Sequence, residues 1–453
     1  MRHPHKMSRR EFVQLGASFG MLAGLSRFTS VNLQASSDYK ALVCLFLYGG
    51  NDGHNMVVPI GGANQLAYQQ ARGTLAIPTN QLLPISDQTQ GQFGLHYALP
   101  ELQSLYTHGH MAVLANVGTL VQPTLQSDLA NPAFAVPANL RSHSDQVVEM
   151  QSGYTGAGAS SGWGGRTLDA LQSANLGTTF PVSIAMISPA LFCTGNAVIG
   201  ASAQPSSTLD QYALGVYPPE VSAARQLAEQ QTVGSFTGNG LIDAANGSLA
   251  TAIKLNPLLK SASASVSFQK AFPQTLLGQQ FQEIARMIAL RDVLGVKRQV
   301  FFCSLGGFDT HSGQSWQQFD LLQQVSQAVD AFYAATVQLG IPDQVTTFTQ
   351  SDFGRTLQPS GSGSDHGWGN HQLIVGGAVQ GGRIYGRFPA MTNYQNFNAT
   401  NSDFSDTRGT MLPNVALAQY GATLAQWMGA SDADLNGIMP NLANFGTRNL
   451  GFV

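Results

Sequence analysis

Residues 299–314 read QVFFCSLGGFDTHSGQ, residues 346–356 read TTFTQSDFGRT, and residues 364–377 read SDHGWGNHQLIVGG. Two apolar runs, Val300 to Leu305 and Thr346 to Thr349, each end shortly before an aspartate: Asp309 after Gly306-Gly307, and Asp352 after Ser351. A third run, Leu373 to Val375, is preceded by Asp365, His366 and His371. Short apolar runs separated by helical periodicity are the pattern of a parallel α/β sheet, whose ligands bind at the loops beyond the carboxyl ends of the strands. Carboxylates and imidazoles gathered at such loops suit a divalent cation. The stretch therefore predicts an α/β fold with a parallel sheet, and most of a metal site.

Working outward, Ala41 to Tyr48 (ALVCLFLY) is an unbroken apolar run, as expected of a strand buried on both faces. It leads into Gly49-Gly50-Asn51-Asp52-Gly53-His54-Asn55. Asp52-Gly53 suits a tight hairpin. The following Met56-Val57-Val58-Pro59 is a poor partner strand, so an exit loop presenting Asp52 at the sheet edge is favoured. Further strands are expected at Met111 to Val117 and Val182 to Ile187, and short helices at Leu66 to Ala71, Pro100 to Tyr106 and Arg166 to Ala174. Longer amphipathic helices are expected at Leu276 to Leu294, Phe319 to Leu339 and Leu412 to Met428. Between about Gly200 and Lys270 the composition turns to Ser, Ala, Gln and Gly, which reads as an insertion of short helices capping the sheet.

The chain has 453 residues, of which 43% are hydrophobic and only 10% charged, with a net charge of −3. Sparse, balanced charge excludes an electrostatic footprint for nucleic acid or anionic lipid. The three cysteines form no disulfide framework, although one bridge is possible. At the N-terminus, Arg2, Lys6, Arg9 and Arg10 precede a weakly apolar, Gly-rich run from Phe12 to Leu25. Ser8-Arg9-Arg10-Glu11-Phe12-Val13 resembles a twin-arginine export signal. Residues 1–35 are therefore expected to be a signal peptide, cleaved near Ala35, which places the mature protein in the periplasm or outside the cell. No later run is long enough for a membrane helix.

Arg141-Ser142-His143-Ser144-Asp145-Gln146 precedes an apolar stretch. Ser142 or Ser144 is placed to cap a helix, where backbone N–H groups also attract anions. A hydroxyl in that position is a candidate nucleophile for phosphoryl or sulfuryl transfer. His143, His311, His366 and His371 all fall in these loops. Asp309-Thr310-His311 could instead cap the following helix. Arg355 either grips an anion's oxygens or neutralises nearby carboxylates.

Taken together, the twin-arginine start, LFLYGGNDGHN, RSHSDQ, GGFDTH, SDFGRT and DHGWGNHQLIVGGAVQGGRIYG resemble the family called domain of unknown function 1501, over nearly the whole mature chain. That family is similar to the alkaline phosphatase and sulfatase superfamily, which implies a doubly wound, mostly parallel sheet flanked by helices. The resemblance implies metal ligands at Asp52, Asp309, His311, Asp352 and His371, with His366 competing, and a nucleophile at Ser142, with Ser144 second. One or two divalent cations are implied, zinc first, with manganese, magnesium or calcium as alternatives. Two departures matter. Phe353 stands where the superfamily has a histidine after the aspartate, which takes a ligand from one metal. The Cys-x-Pro-x-Arg motif of sulfatases is absent, which argues against an ordinary sulfatase. Two functions follow as expectations: an exported metal-dependent hydrolase or transferase acting on a phosphate or sulfate ester of a small molecule or glycan, or a non-catalytic exported binding protein that keeps the fold.

Overall fold

The structure, a computed structural model, describes residues 38–156, 158–205, 219–233, 237–238, 242, 246, 266–395 and 403–453. The signal segment and most of the 200–270 region lie outside the described residues.

The main sheet has nine strands. Across it run Ile384–Tyr385, Met111–Gly118, Asn370–Gly376, Val345–Ser351, Lys40–Leu47, Arg298–Leu305, Ser183–Met186 and Ala201–Ala203, with Val415–Ala416 also pairing to Met111–Gly118. The Lys40–Leu47 strand is central and parallel to both neighbours, pairing Leu45 with Cys303 on one side and with Thr349 on the other. Only Asn370–Gly376 runs antiparallel to the strands beside it. The expected α/β class and mostly parallel sheet are what the chain forms.

Burial on both sides explains the unbroken apolar strands. Leu42, Cys44 and Phe46 join a core with the Leu417–Met428 helix, while the alternating Ala41, Val43 and Leu45 face the other way and are equally buried. Helices Leu276–Ala289 and Gln314–Gln338 pack on each other, with Phe281 and Phe332 rings 5.0 Å apart. The single helix expected over Leu276 to Leu294 breaks at Leu290, after which a short turn, Arg291–Leu294, ends at left-handed Gly295. A small three-stranded sheet, Val57–Pro59, Gly91–Leu95 and Leu83–Asp87, forms where only short helices were expected. Of the supposed insertion, Ala201–Ala203 is instead the outer strand of the main sheet and Pro219–Val233 is helical. All three cysteines are free and buried, so no bridge forms. Among the described residues no helix is long and apolar enough to cross a membrane.

This topology matters for the site because the strands ending near Asp352, Asp52 and Asp309 are adjacent and parallel, so their exit loops share one edge. The antiparallel strand begins at that same edge, which brings the preceding hairpin, Arg355–Ser360 with Gly363–His366, alongside.

Candidate metal centre

Asp309 is the hub of a cluster at this edge. Its Oδ2 lies 3.5 Å from His143 Nε2, and its Oδ1 lies 3.1 Å from His311 Nε2 and 3.3 Å from His366 Nε2. The Nε2 atoms of His311 and His366 are 2.9 Å apart. Ligand atoms of His143, Asp309 and His366 all lie within 4.8 Å of one another. The members come from the loop after Arg298–Leu305, the start of the His143–Ser152 helix and the Gly363–His366 strand.

The other nitrogen of each ring explains why these three converge. His143 Nδ1 is 2.7 Å from Asp352 Oδ2. His311 Nδ1 is 3.3 Å from Asp365 Oδ1, and His366 Nδ1 donates to the Arg141 carbonyl at 2.8 Å. In a neutral ring whose Nδ1 donates to an oxygen, the lone pair is on Nε2. Three such lone pairs then face one carboxylate, an arrangement that repels unless a cation sits among them. His143 Nε2 is buried and lacks a hydrogen-bond partner. Carboxylate or carbonyl partners behind ligating imidazoles are the usual supporting layer of a metal site. His143, Asp309 and His366 form the compact trio, while His311 stands beside Asp309 and His366 but outside it; separations of a little over 3 Å from Asp309 are those of ligand atoms about 2.0–2.2 Å from one zinc ion. The residues present therefore fit a divalent cation.

The electrostatics agree. Burial alone would raise the Asp309 carboxyl, but the hydrogen bond and charge of Arg355, with His311 and His143, bring it below the usual carboxylate range. Burial likewise opposes Asp365, and Arg408 and His311 outweigh it in the same direction. Asp352 is the contrast: burial raises its carboxyl despite the His143 contact and a 3.1 Å bond from Gly49 N–H. Burial, helped by the Arg355 charge and opposed by the Arg141 carbonyl and Asp309, lowers His366 and favours its neutral form. Gly49 allows this close assembly, because its φ is +112° and a Cβ there would lie 2.4 Å from the Asp309 nitrogen.

The expected residues divide into two groups. Asp309, His311, Asp352 and His366 come together, with Asp352 behind His143 rather than facing the centre. Asp52 and His371 do not join them. Asp52 caps the one-turn helix Gly53–Met56 by accepting from His54 N–H at 3.0 Å, and its other oxygen takes Arg72 and Gln314. Arg72 is fully buried and needs a counter-ion, which fixes that carboxylate. His371 sits where the antiparallel strand shifts register, and its Nδ1 accepts the N–H of left-handed Asn116 at 3.1 Å. Its ring stacks on Phe388 at 4.6 Å.

Arg355 is fully buried, and its fork serves the carbonyls of Gly49, Gly50, Phe308 and Ser364 together with Asp309 Oδ1 at 2.6 Å. It orients Asp309, and each of its three nitrogens bonds to protein. Ser142 occupies the helix N-cap position without capping: its hydroxyl turns to Asp145 Oδ2 at 2.5 Å and lies 3.1 Å from Ser144 Oγ. Gly313, not Asp309, is the residue before the Gln314–Gln338 helix. Phe353 is buried, with its ring 4.8 Å from that of His143 and 4.7 Å from that of His366, so it walls the pair apolarly.

Sequence reasoning placed His143 in the right loop but gave the role there to its serine neighbours. Asp365, beside His366, supports His311 rather than facing the centre. The signal available was the alternation Ser142-His143-Ser144, in which one of three polar residues must turn inward. Beside the cluster opens a cleft of about 400 Å³, lined by Tyr48, Val147 and Ser144 together with His143, Asp309 and Asp352.

No curated protein matches the sequence. Among solved structures, Ps i-CgsB in complex with k-i-k-neocarrahexaose is 9% identical and aligns over 91% of this chain and 75% of its own, with a TM-score of 0.36. The PsFucS1 sulfatase from Pseudoalteromonas sp. is 11% identical over 89% of this chain and 77% of its own, at a TM-score of 0.32. The C-terminal periplasmic domain of EcEptC from Escherichia coli is 8% identical over 88% and 84%, at 0.33. Likeness at this level carries nothing about chemistry. The model of one family, described as protein of unknown function (DUF1501), matches residues 39–439, and the chain belongs to that family.

Proposed function

We propose that this chain is an exported, zinc-dependent hydrolase or transferase acting on a phosphate or sulfate ester. The observation that carries the reading is the convergence of three imidazole Nε2 atoms on Asp309, each ring held from behind through Nδ1. Three imidazoles and one carboxylate suit zinc better than magnesium or calcium, which prefer all-oxygen ligands, while manganese is a weaker fit. The twin-arginine-like start supports export to the periplasm or beyond. Bound at this centre, the cation would polarise an ester oxygen and lower the pKa of a nearby hydroxyl or water.

The chain's own groups supply the remainder. Asp352, Asp365 and the Arg141 carbonyl keep each Nδ1 protonated, and Arg355 holds Asp309 in register. Ser144 borders the cleft and is the nucleophile; its proton passes to Ser142 Oγ as Ser142 releases its own to Asp145. Its oxygen bonds to phosphorus or sulfur as the ester oxygen leaves and takes a proton from water. A second water, or another hydroxyl in a transfer, then attacks phosphorus or sulfur and gives its proton to the hydroxide left by the first, while Ser144 leaves and regains its proton from Asp145 through Ser142.

A second reading, a binding protein that retains the fold, is favoured by one observation. All three Arg355 nitrogens bond to protein, and among the described residues no lysine or arginine lines the cleft to stabilise developing negative charge. Elemental analysis of purified protein, paired with a panel of phosphate monoesters, diesters and sulfate esters, separates the two. Stoichiometric zinc with turnover is the expected result. Zinc without turnover leaves the binding protein, and absence of any divalent metal removes the enzyme reading.

A further inference from the structure

Resting on the ester-transfer reading, we infer that the cleft beside the cluster is the leaving-group subsite, and that it accepts an uncharged, flat ring rather than an anionic or extended polymer segment. Its volume of about 400 Å³ is at the small end for ligand sites, which run from about 300 to 1,000 Å³. The residues bordering it beyond the cluster are Tyr48, Val147, Ser144 and two glycines. Among the described residues no lysine or arginine lines it, whereas Asp352 and Asp309 both do. A second negative charge on the leaving group would therefore meet the Asp352 carboxylate with no side-chain counter-ion, the cation of the centre being taken up by its ligands and the ester group itself.

Tyr48 makes a fixed wall. Its ring packs on Phe46 at 4.4 Å, and its hydroxyl accepts from Gln151 Nε2 at 3.0 Å. Burial pushes that hydroxyl up to about 12, so the wall stays uncharged. A fixed aromatic face and an aliphatic side chain in one cleft favour a flat apolar ring. Val147 stands one helical turn from His143 and Ser144 on the same helix, so a ring seated against it lies next to the reacting groups.

Calorimetric titration of the purified, zinc-loaded full chain tests this with inorganic phosphate, phenylphosphonate and 4-carboxyphenylphosphonate, none of which carries a cleavable ester. Phenylphosphonate should bind at least about tenfold more tightly than phosphate, and the added carboxylate should remove most of that gain. Val147→Trp, which fills the cleft, should bring the ratio of phenylphosphonate to phosphate affinity close to one; Val147→Ala should preserve it. Equal affinities in the wild-type protein, a preference for the carboxylated probe, or a ratio untouched by Val147→Trp would overturn the subsite while leaving the metal-dependent function standing. If the zinc-loaded chain binds neither phosphate nor a phosphonate, the function and the subsite fall together.

Discussion

Two groups of aspartate and histidine lie at one edge of the sheet, and they have opposite characters. Around Asp309 the rings of His143, His311 and His366 are partly open to solvent, and their Nε2 atoms face one another. Around Asp52 the carboxylate is saturated by Arg72, Gln314 and a backbone N–H, and His54 and His371 are fully buried. Burial, with Arg72 adding for His54 and His54 for His371, pushes both histidines down to about 3, so they remain neutral. Residue type does not separate a site from a brace. What separates them is the partner on the far side of each ring and carboxylate.

The sharpest break in this comparison comes from Asp309→Ala, which should abolish zinc uptake in elemental analysis; it also removes the carboxylate beside buried Arg355, so the melting temperature should fall too. Metal content equal to wild type would sink the assignment of the centre. Asp52→Ala should leave zinc uptake intact. It leaves the Arg72 charge buried and unpaired, at a cost of about 3–5 kcal/mol in chemical denaturation. If that variant keeps wild-type stability but loses zinc, the roles of the two carboxylates are exchanged.

Asp352→Asn should have an intermediate effect, because it alters only the support behind His143. Weakening of zinc affinity by about 10–100-fold, read by competition with a chromophoric chelator, is expected. The smallest effect is on the pH profile of the metal-free protein. His54 and His371 are lowered from 6.5 to about 3, so the unfolded chain binds protons there before the folded chain does. Their contribution to stability is complete above pH 6.5 and is lost as pH falls toward 3. His371→Gln, which keeps an acceptor for the Asn116 N–H, should flatten the acid limb by one proton, about 1.4 kcal/mol per pH unit. An unchanged slope would mean that His371 is not held neutral.

The Gly49-Gly50 turn links the two groups. It brings backbone carbonyls to Arg355 and an N–H to Asp352, while two residues later Asp52 turns inward toward Arg72. One short exit loop thus supports the open centre without contributing a ligand to it.

Hydrophobic patterning along the chain was enough to determine the α/β class, the central strands, the long helices and the strand-end positions of Asp309, Asp352 and His366. Burial on two faces demands unbroken apolar runs, and chain exit demands glycine and polar residues, so both leave a local trace. The small sheet over Leu83–Leu95 left less, since its strands are short and half exposed. Only the tertiary structure decided which carboxylate is free and which nitrogen carries the proton. His143 meets Asp352 across 209 residues, and Arg72 captures Asp52 from a separate helix. Such pairings depend on distance in space and on which buried charge most needs a counter-ion, and neither quantity is encoded in the spacing of residues along a strand.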